Sequence, residues 1–194
     1  MMNNKILLLP GDGVGPEIMS EAVKLLDYLI DNEVVDIAYE FADIGGIAID
    51  NHGDPFPEHT FEKAKASRAI LLGAVGTKKH EKNENKMKPE SGLLALRKKL
   101  DLYINLRPIF IFENLIDKSS LKADIIKDID LVIVRELVSD IYFGEPRGFD
   151  EVNKSAFNTM RYSETEVRRI TEYAVKLSKK RNGRITSVDK ANVL

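Results

Sequence analysis

The stretch KILLLPGDGVGPEIM, residues 5–19, decides how the chain is read. Its first five residues form a short, leucine-rich run that Pro10 and Gly11 end, the pattern of a buried strand. Glycines follow at alternate positions, Gly11, Gly13 and Gly15. Beyond Pro16, Ile18, Ala22, Leu25, Leu26 and Leu29 recur at helical spacing. A proline suits a first helical turn, because its missing N–H would have no partner there. Strand, glycine turn and helix are the parts of a dinucleotide-binding unit. That fingerprint is G-x-G-x-x-G, with the third glycine permitting close helix–strand packing. Here Pro16 holds the third position, and Phe41 and Ala42 stand where an acidic residue should end the second strand. No G-K-[ST] of a phosphate loop follows either. Local chemistry leaves a tight structural turn and a phosphate cradle both open, and favours the turn.

Outward from this stretch, strands and helices alternate. VDIAYEF (35–41) reads as a strand, and GGIAIDNHGDPFP (45–57) as a long, turn-rich connection. A helix is expected over 57–67 and a buried strand over AILLGAV, 69–75. Residues 76–90 are polar and without period, and so long a loop inside a compact domain is usually functional or mobile. A helical period resumes over 92–100, followed by strands at LYINLRP (102–108) and DLVIVRE (130–136), the second plainly buried. Residues 141–158, rich in Gly, Pro and aromatics, suggest an extended arm or hairpin. Ser163 and Glu166 form a capping box ahead of a helix carrying Val167, Ile170, Ala174 and Leu177 on one face, with Gly183 as its C-terminal cap. RITSV (184–188) reads as a last strand. Such alternation implies an α/β fold with a mostly parallel sheet.

The bulk numbers exclude several classes. In 194 residues, 29 basic side chains stand against 31 acidic ones, which gives no electrostatic case for nucleic acid or an anionic membrane. The basic cluster LSKKRNGR (177–184) sits where cations suit a helix C-terminus. Without cysteine there are no disulfides, thiolate metal sites or Cys nucleophile. No apolar stretch is long enough to span a bilayer and no signal peptide is evident, so the expected location is cytoplasmic. His52, His59 and His80 fit no metal spacing and are expected to be exposed.

LPGDGVGPE resembles the N-terminal signature of the β-decarboxylating dehydrogenases, and four later segments fall in the matching order. They are PESGLLALRKKLDLYINLRP (89–108), DLVIVREL (130–137), IYFGEPRG (141–148) and SVDKANVL (187–194). On these segments the chain resembles the isocitrate/isopropylmalate dehydrogenase family over essentially its whole length. The resemblance implies a two-domain α/β fold, incomplete at the C-terminus, with a first domain over 1–99 and a second over 100–194. It also implies NAD as cofactor with Mg²⁺ or Mn²⁺, and a homodimer joined by the arm at 141–158. The activity implied is oxidative decarboxylation of 3-isopropylmalate to 2-oxo-4-methylpentanoate, a step of leucine biosynthesis. Homoisocitrate or tartrate are the alternative substrates.

The resemblance also carries residue roles. Arg97, Arg107 and Arg135 match substrate-binding arginines, and planar guanidinium forks suit carboxylates. Leu93 and Leu94 could give an apolar wall for an isopropyl group, where an unpaired carboxylate would cost several kcal/mol to bury and Glu90 nearby would repel it. Lys190 matches a general base, which needs its pKa lowered from about 10.4 to act near neutrality. Tyr142 matches the proton donor to carbon. Gly76, Thr77, Lys78, Lys79, Glu90 and Asn192 are expected to line the NAD site. The metal-holding carboxylates are expected downstream of residue 194.

Two departures stand out. The family usually has threonine and two glycines before I-Y-F-G, where this chain has Val138, Ser139 and Asp140. Glycine there permits a backbone geometry that Asp140 resists. The family loop commonly reads Gly-Gly-Pro-Lys-Trp, where this chain has Gly76-Thr77-Lys78-Lys79-His80. With the metal segment missing, a catalytically dead, dimer-forming fragment is a further alternative. The 194 residues assayed alone with 3-isopropylmalate, Mg²⁺ and NAD are expected to give no NADH absorbance; clear turnover would contradict that.

Overall fold

The structure, a computed structural model, describes residues 4–189, 191 and 192. Its contacts divide the chain into two compact units, Met1–Asp101 and Leu102–Leu194.

In the first unit, strand β1 (Lys5–Gly11) is the middle of a three-stranded parallel sheet, flanked by β2 (Ala38–Phe41) and β3 (Ala69–Ala74). A central parallel strand is covered on both faces, which is why Leu7, Leu8 and Leu9 are all fully buried. Leu7 and Leu9 point to one side and join Ile44, Phe56, Ala64 and Leu96 in the core. Helix α1 (Gly15–Asp31) packs on β1 and β3. Of the expected stripe, Ala22, Leu26 and Leu29 are half-buried, joined by Gly15, Met19 and Val23, whereas Ile18 and Leu25 are exposed. Gly15 fixes this rotation, since a Cβ there would collide with the Pro10 carbonyl and the β3 backbone. The helix therefore approaches the sheet along its glycine.

Residues 45–57 do not form a plain connection: α2 runs over Gly46–His52. Its local sequence is a weak helix former, with glycines at both ends. The helix is held instead by Asp12 in the β1–α1 turn. The Asp12 carboxylate accepts the backbone N–H of Gly46 (2.8 Å) and Ile47 (2.8 Å), donors that a helix start leaves without intrahelical partners. It also accepts the N–H of Gly76 at 3.0 Å, just beyond β3. Gly11, at φ +73°, turns the chain so that the Asp12 N–H meets the Ala74 carbonyl at 2.6 Å. α3 (Glu58–Ala66) and α4 (Pro89–Lys99) complete the unit.

The second unit is built on antiparallel pairs. β4 (Ile104–Phe110) pairs with β5 (Asp130–Glu136), after a 3₁₀ turn at Glu113–Lys118 and the short α5 (Ala123–Ile126). The parallel arrangement expected for the chain is thus confined to the first unit. α6 (Glu164–Ser178) packs on β5, its N-terminus closed by the reciprocal Ser163–Glu166 capping box. The helix ends at Ser178, and Gly183 closes the following turn by donating to the Ser178 carbonyl at 3.1 Å. β5 is not plainly buried: Leu131 and Ile133 are 43% and 46% exposed. The alternate positions Val132, Val134 and Glu136 are half-buried; α6 meets Glu136 through Arg169, and Arg181, past the helix end, meets Asp130. RITSV forms no strand among the described residues. It lies instead along a groove of about 780 Å³ beside β5 and α6. The 141–158 arm is a hairpin of β6 (Gly148–Asp150) and β7 (Ser155–Phe157).

Charge-assisted hydrogen bonds contribute roughly 1.5–3 kcal/mol each, and removing Asp12 strands three backbone donors at once. Asp12→Ala is expected to destabilise the fold by about 3–5 kcal/mol, and Asp12→Asn, which keeps one acceptor, by about half as much. Urea unfolding measures both, and an Asp12→Ala loss under about 1 kcal/mol would contradict the role given to this carboxylate.

Candidate functional site

The first unit carries a cleft of about 460 Å³ lined by Gly76, Thr77, Lys78, Glu81, Lys88, Pro89 and Glu90. Two segments build it: the loop leaving β3, and the first turn of α4. Gly76 stands at φ +130°, and a Cβ on it would sit 3.0 Å from Glu90 Oε1. The glycine thus lets the Glu90 carboxylate close over the loop backbone. Of the residues expected to line a dinucleotide site, Gly76, Thr77, Lys78 and Glu90 converge here; Asn192 is not among the lining residues, and the Lys79 ammonium turns away to Asp50 at 2.6 Å.

The loop is not structureless. It contains 3₁₀ turns at Lys78–His80 and Asn85–Met87. His80, expected to be exposed, is buried. It stands against α2: His80 Nε2 lies 3.2 Å from Asp50 Oδ1 without hydrogen-bond alignment, and its Cδ2 packs beside Gly46. Its Nδ1 is 3.1 Å from the Asn83 amide. His52 and His59 are exposed and stack edge to face.

On α4, Glu90, Leu94 and Arg97 fall at i, i+4 and i+7, one stripe of the helix. Leu93 turns the other way and packs against the core, so the two leucines do not form one wall.

The second unit brings Arg107, Arg135 and Tyr142 together. Register pairs Asn105 with Arg135, and Arg107 with Ile133. Residues opposite one another, and those two apart, share a face, so Asn105, Arg107 and Arg135 project from the same side of the ribbon. Arg107 donates from Nε to Asn105 Oδ1 at 2.7 Å. The Arg135 guanidinium stands 5.6 Å from the Tyr142 ring centroid, within cation–π range. Tyr142 is half-exposed, on a 3₁₀ turn at Asp140–Tyr142. Two guanidinium forks and a phenol are what a small carboxylate-bearing ligand needs for grip and proton donation.

Tyr162 was missed by sequence reasoning. Burial raises its pKa above the usual tyrosine value, with the Asp140 and Glu136 charges adding to the effect. Lys190 lies outside the described residues, and Asn192 is exposed. Among the described residues, no three His, Asp or Glu side chains are placed to hold a metal ion. Glu90 and the flanking Lys78 and Lys88 fit the hydroxyl and phosphate groups of a dinucleotide. No described helix is long and apolar enough to cross a membrane.

Residues 5–194 match the family model for isocitrate/isopropylmalate dehydrogenase. The 3-isopropylmalate dehydrogenase of Hydrogenovibrio crunogenus is 49% identical over 196 residues, covering 100% of this chain and 55% of the relative. That of Prochlorococcus marinus is 50% identical, with the same coverage. Among solved structures, an isocitrate dehydrogenase from Methylococcus capsulatus superposes with a TM-score of 0.73 at 28% identity, over 91% of this chain and 48% of its own. A β-decarboxylating dehydrogenase from Thermococcus kodakarensis gives 0.69 at 31% identity, over 98% and 50%. The fold is that of the β-decarboxylating dehydrogenases. The chain belongs to the isocitrate/isopropylmalate dehydrogenase family, and it spans about half the length of the curated relatives it matches.

Asp140 occupies φ +66°, a left-handed conformation that glycine adopts freely and other residues resist. Its Oδ1 is buried without a hydrogen-bond partner. Asp140→Gly is expected to stabilise the protein by about 1 kcal/mol, and Asp140→Val to destabilise it by more than that. Thermal melts of both variants measure this; a lower midpoint for Asp140→Gly would contradict it.

Proposed function

We propose that the protein carrying these residues catalyses the NAD-dependent oxidative decarboxylation of 3-isopropylmalate to 2-oxo-4-methylpentanoate. The reading rests above all on Arg107 and Arg135 sharing one sheet face, with Tyr142 beside the Arg135 guanidinium. The names of the relatives support it, and the same proposal carries leucine biosynthesis as the setting, a homodimer as the assembly and the cytoplasm as the location.

In this reading Arg107 and Arg135 hold the substrate carboxylates, each as a fixed, permanently charged fork. Asn105 restrains Arg107 through the Nε hydrogen bond, leaving its terminal nitrogens for the ligand. By the family match, Arg97 is a third substrate-binding cation and Leu94 meets the isopropyl group; both lie on the α4 stripe of the first unit. Glu90 would hold the cofactor through its ribose hydroxyls, and Lys78 and Lys88, which line the same cleft, would meet its phosphates. NAD held in this cleft would supply the acceptor for the hydride leaving the hydroxyl-bearing carbon. The hydroxyl proton goes to Lys190 by the family match. The carbon–carbon bond to the departing carboxylate then breaks as carbon dioxide, and the Tyr142 phenol protonates the carbon left behind.

The test is a substrate series with the whole protein, Mg²⁺ or Mn²⁺ and NAD, followed by NADH absorbance. kcat/KM is expected to be highest for 3-isopropylmalate against isocitrate, homoisocitrate and tartrate. Arg135→Lys, which removes a two-pronged contact, should lower it by about tenfold to a hundredfold. A higher kcat/KM for any of the three competitors would overturn the substrate assignment.

A further inference from the structure

We propose that Asp50, on α2, is a positioning residue for the loop 76–90: it anchors Lys79 and His80 and so sets the wall that receives the dinucleotide. The proposal rests on the cofactor reading above and adds a residue outside the cleft to it.

Three groups of contacts carry it. Asp50 Oδ1 accepts from the Lys79 ammonium at 2.6 Å and lies 3.2 Å from His80 Nε2, so one carboxylate oxygen bonds one loop residue and stands against the next. Hydrogen bonding from Lys79, the largest influence, keeps the Asp50 carboxyl below its ordinary range, in keeping with a carboxylate that stays ionised and paired. On the far side of the imidazole, Nδ1 meets the Asn83 amide at 3.1 Å, and that amide donates to the Met87 carbonyl at 3.0 Å. The chain of contacts therefore runs from α2 through His80 into the second 3₁₀ turn, which leads directly into Pro89 and Glu90. Packing agrees with this path. A Cβ on Gly46 would stand 2.6 Å from Thr77 Cγ2 and 3.1 Å from His80 Cδ2, so the bare first residue of α2 is what lets the loop lie against it.

The loop start is fixed separately, by Asp12 on the Gly76 N–H. Asp12 and Asp50 thus hold the loop at two points, one at its root and one between the lining residues Lys78 and Glu81. Neither Asp50 nor His80 lines the cleft itself. Their contribution is through the loop.

The experiment compares Asp50→Ala, Asp50→Asn and His80→Ala in the whole protein, with backbone hydrogen exchange and steady-state kinetics on each. In Asp50→Ala, amides of residues 78–83 should exchange about three- to tenfold faster, the range expected for losing one partly exposed ion pair and a neighbouring contact. Protection at Leu7, Leu8 and Leu9 should be unchanged, which separates a loosened loop from an unfolded protein. KM for NAD should rise by a similar factor with kcat little altered, and Asp50→Asn should fall between Ala and the parent. Unchanged loop exchange in a folded Asp50→Ala protein overturns the anchor. Faster loop exchange with an unchanged KM for NAD overturns its connection to the dinucleotide. Turnover that needs no NAD would overturn the cofactor reading instead, and the exchange data would still judge the anchor.

Discussion

One carboxylate organises the first unit. Asp12 sits in the turn between the central strand and its helix, and receives N–H groups from the start of α2 and from the residue just beyond β3. Three segments far apart in sequence meet on two oxygen atoms. The glycines around it are the condition for that meeting: Gly11 turns the strand, and Gly15 lets α1 close on the sheet. The turn looks like a phosphate cradle because it solves a related problem. It gathers backbone donors around an anion, and here the anion belongs to the protein.

From that point the candidate cofactor wall follows mechanically. The Gly76 N–H is held by Asp12, Gly76 lacks the Cβ that would crowd Glu90, and the loop then lies along α2 before entering α4. Lys78 and Glu90 face the cleft as a consequence, while Lys79 and His80 face Asp50. In the second unit the ordering principle is register. Antiparallel pairing of β4 with β5 places Arg107 and Arg135 on one side, and the turn at Asp140 brings Tyr142 to the Arg135 guanidinium.

The elements legible in the sequence were those whose causes are local. The leucine run of β1, the proline-started α1 and the Ser163–Glu166 box all carry their signals within a few residues. α2 could not be read that way, because its stabilising partner lies 34 residues upstream at Asp12. The burial of His80 is not legible for a related reason: the α2 residues it lies against, Gly46 and Asp50, are 30 or more positions away in the chain. The apolar run of β5 reported a strand correctly, yet its composition could not say that only alternate side chains are covered. For the site, residue types at Arg107, Arg135 and Tyr142 were readable from the resemblance, but their convergence was not. It comes from strand pairing and from a positive φ at Asp140, neither of which the residue types imply. The division of labour between Leu93 and Leu94 likewise appears only once the helix is turned toward its core.

The central functional claim is that Arg107, Arg135 and Tyr142 form one binding surface for a carboxylate-bearing substrate. A crystal structure of the whole protein with 3-isopropylmalate bound tests it most directly. The account requires ligand carboxylate oxygens on the guanidinium groups of both arginines, with the Tyr142 hydroxyl within hydrogen-bonding reach. Ligand density elsewhere, with those two arginines left in solvent, would contradict it.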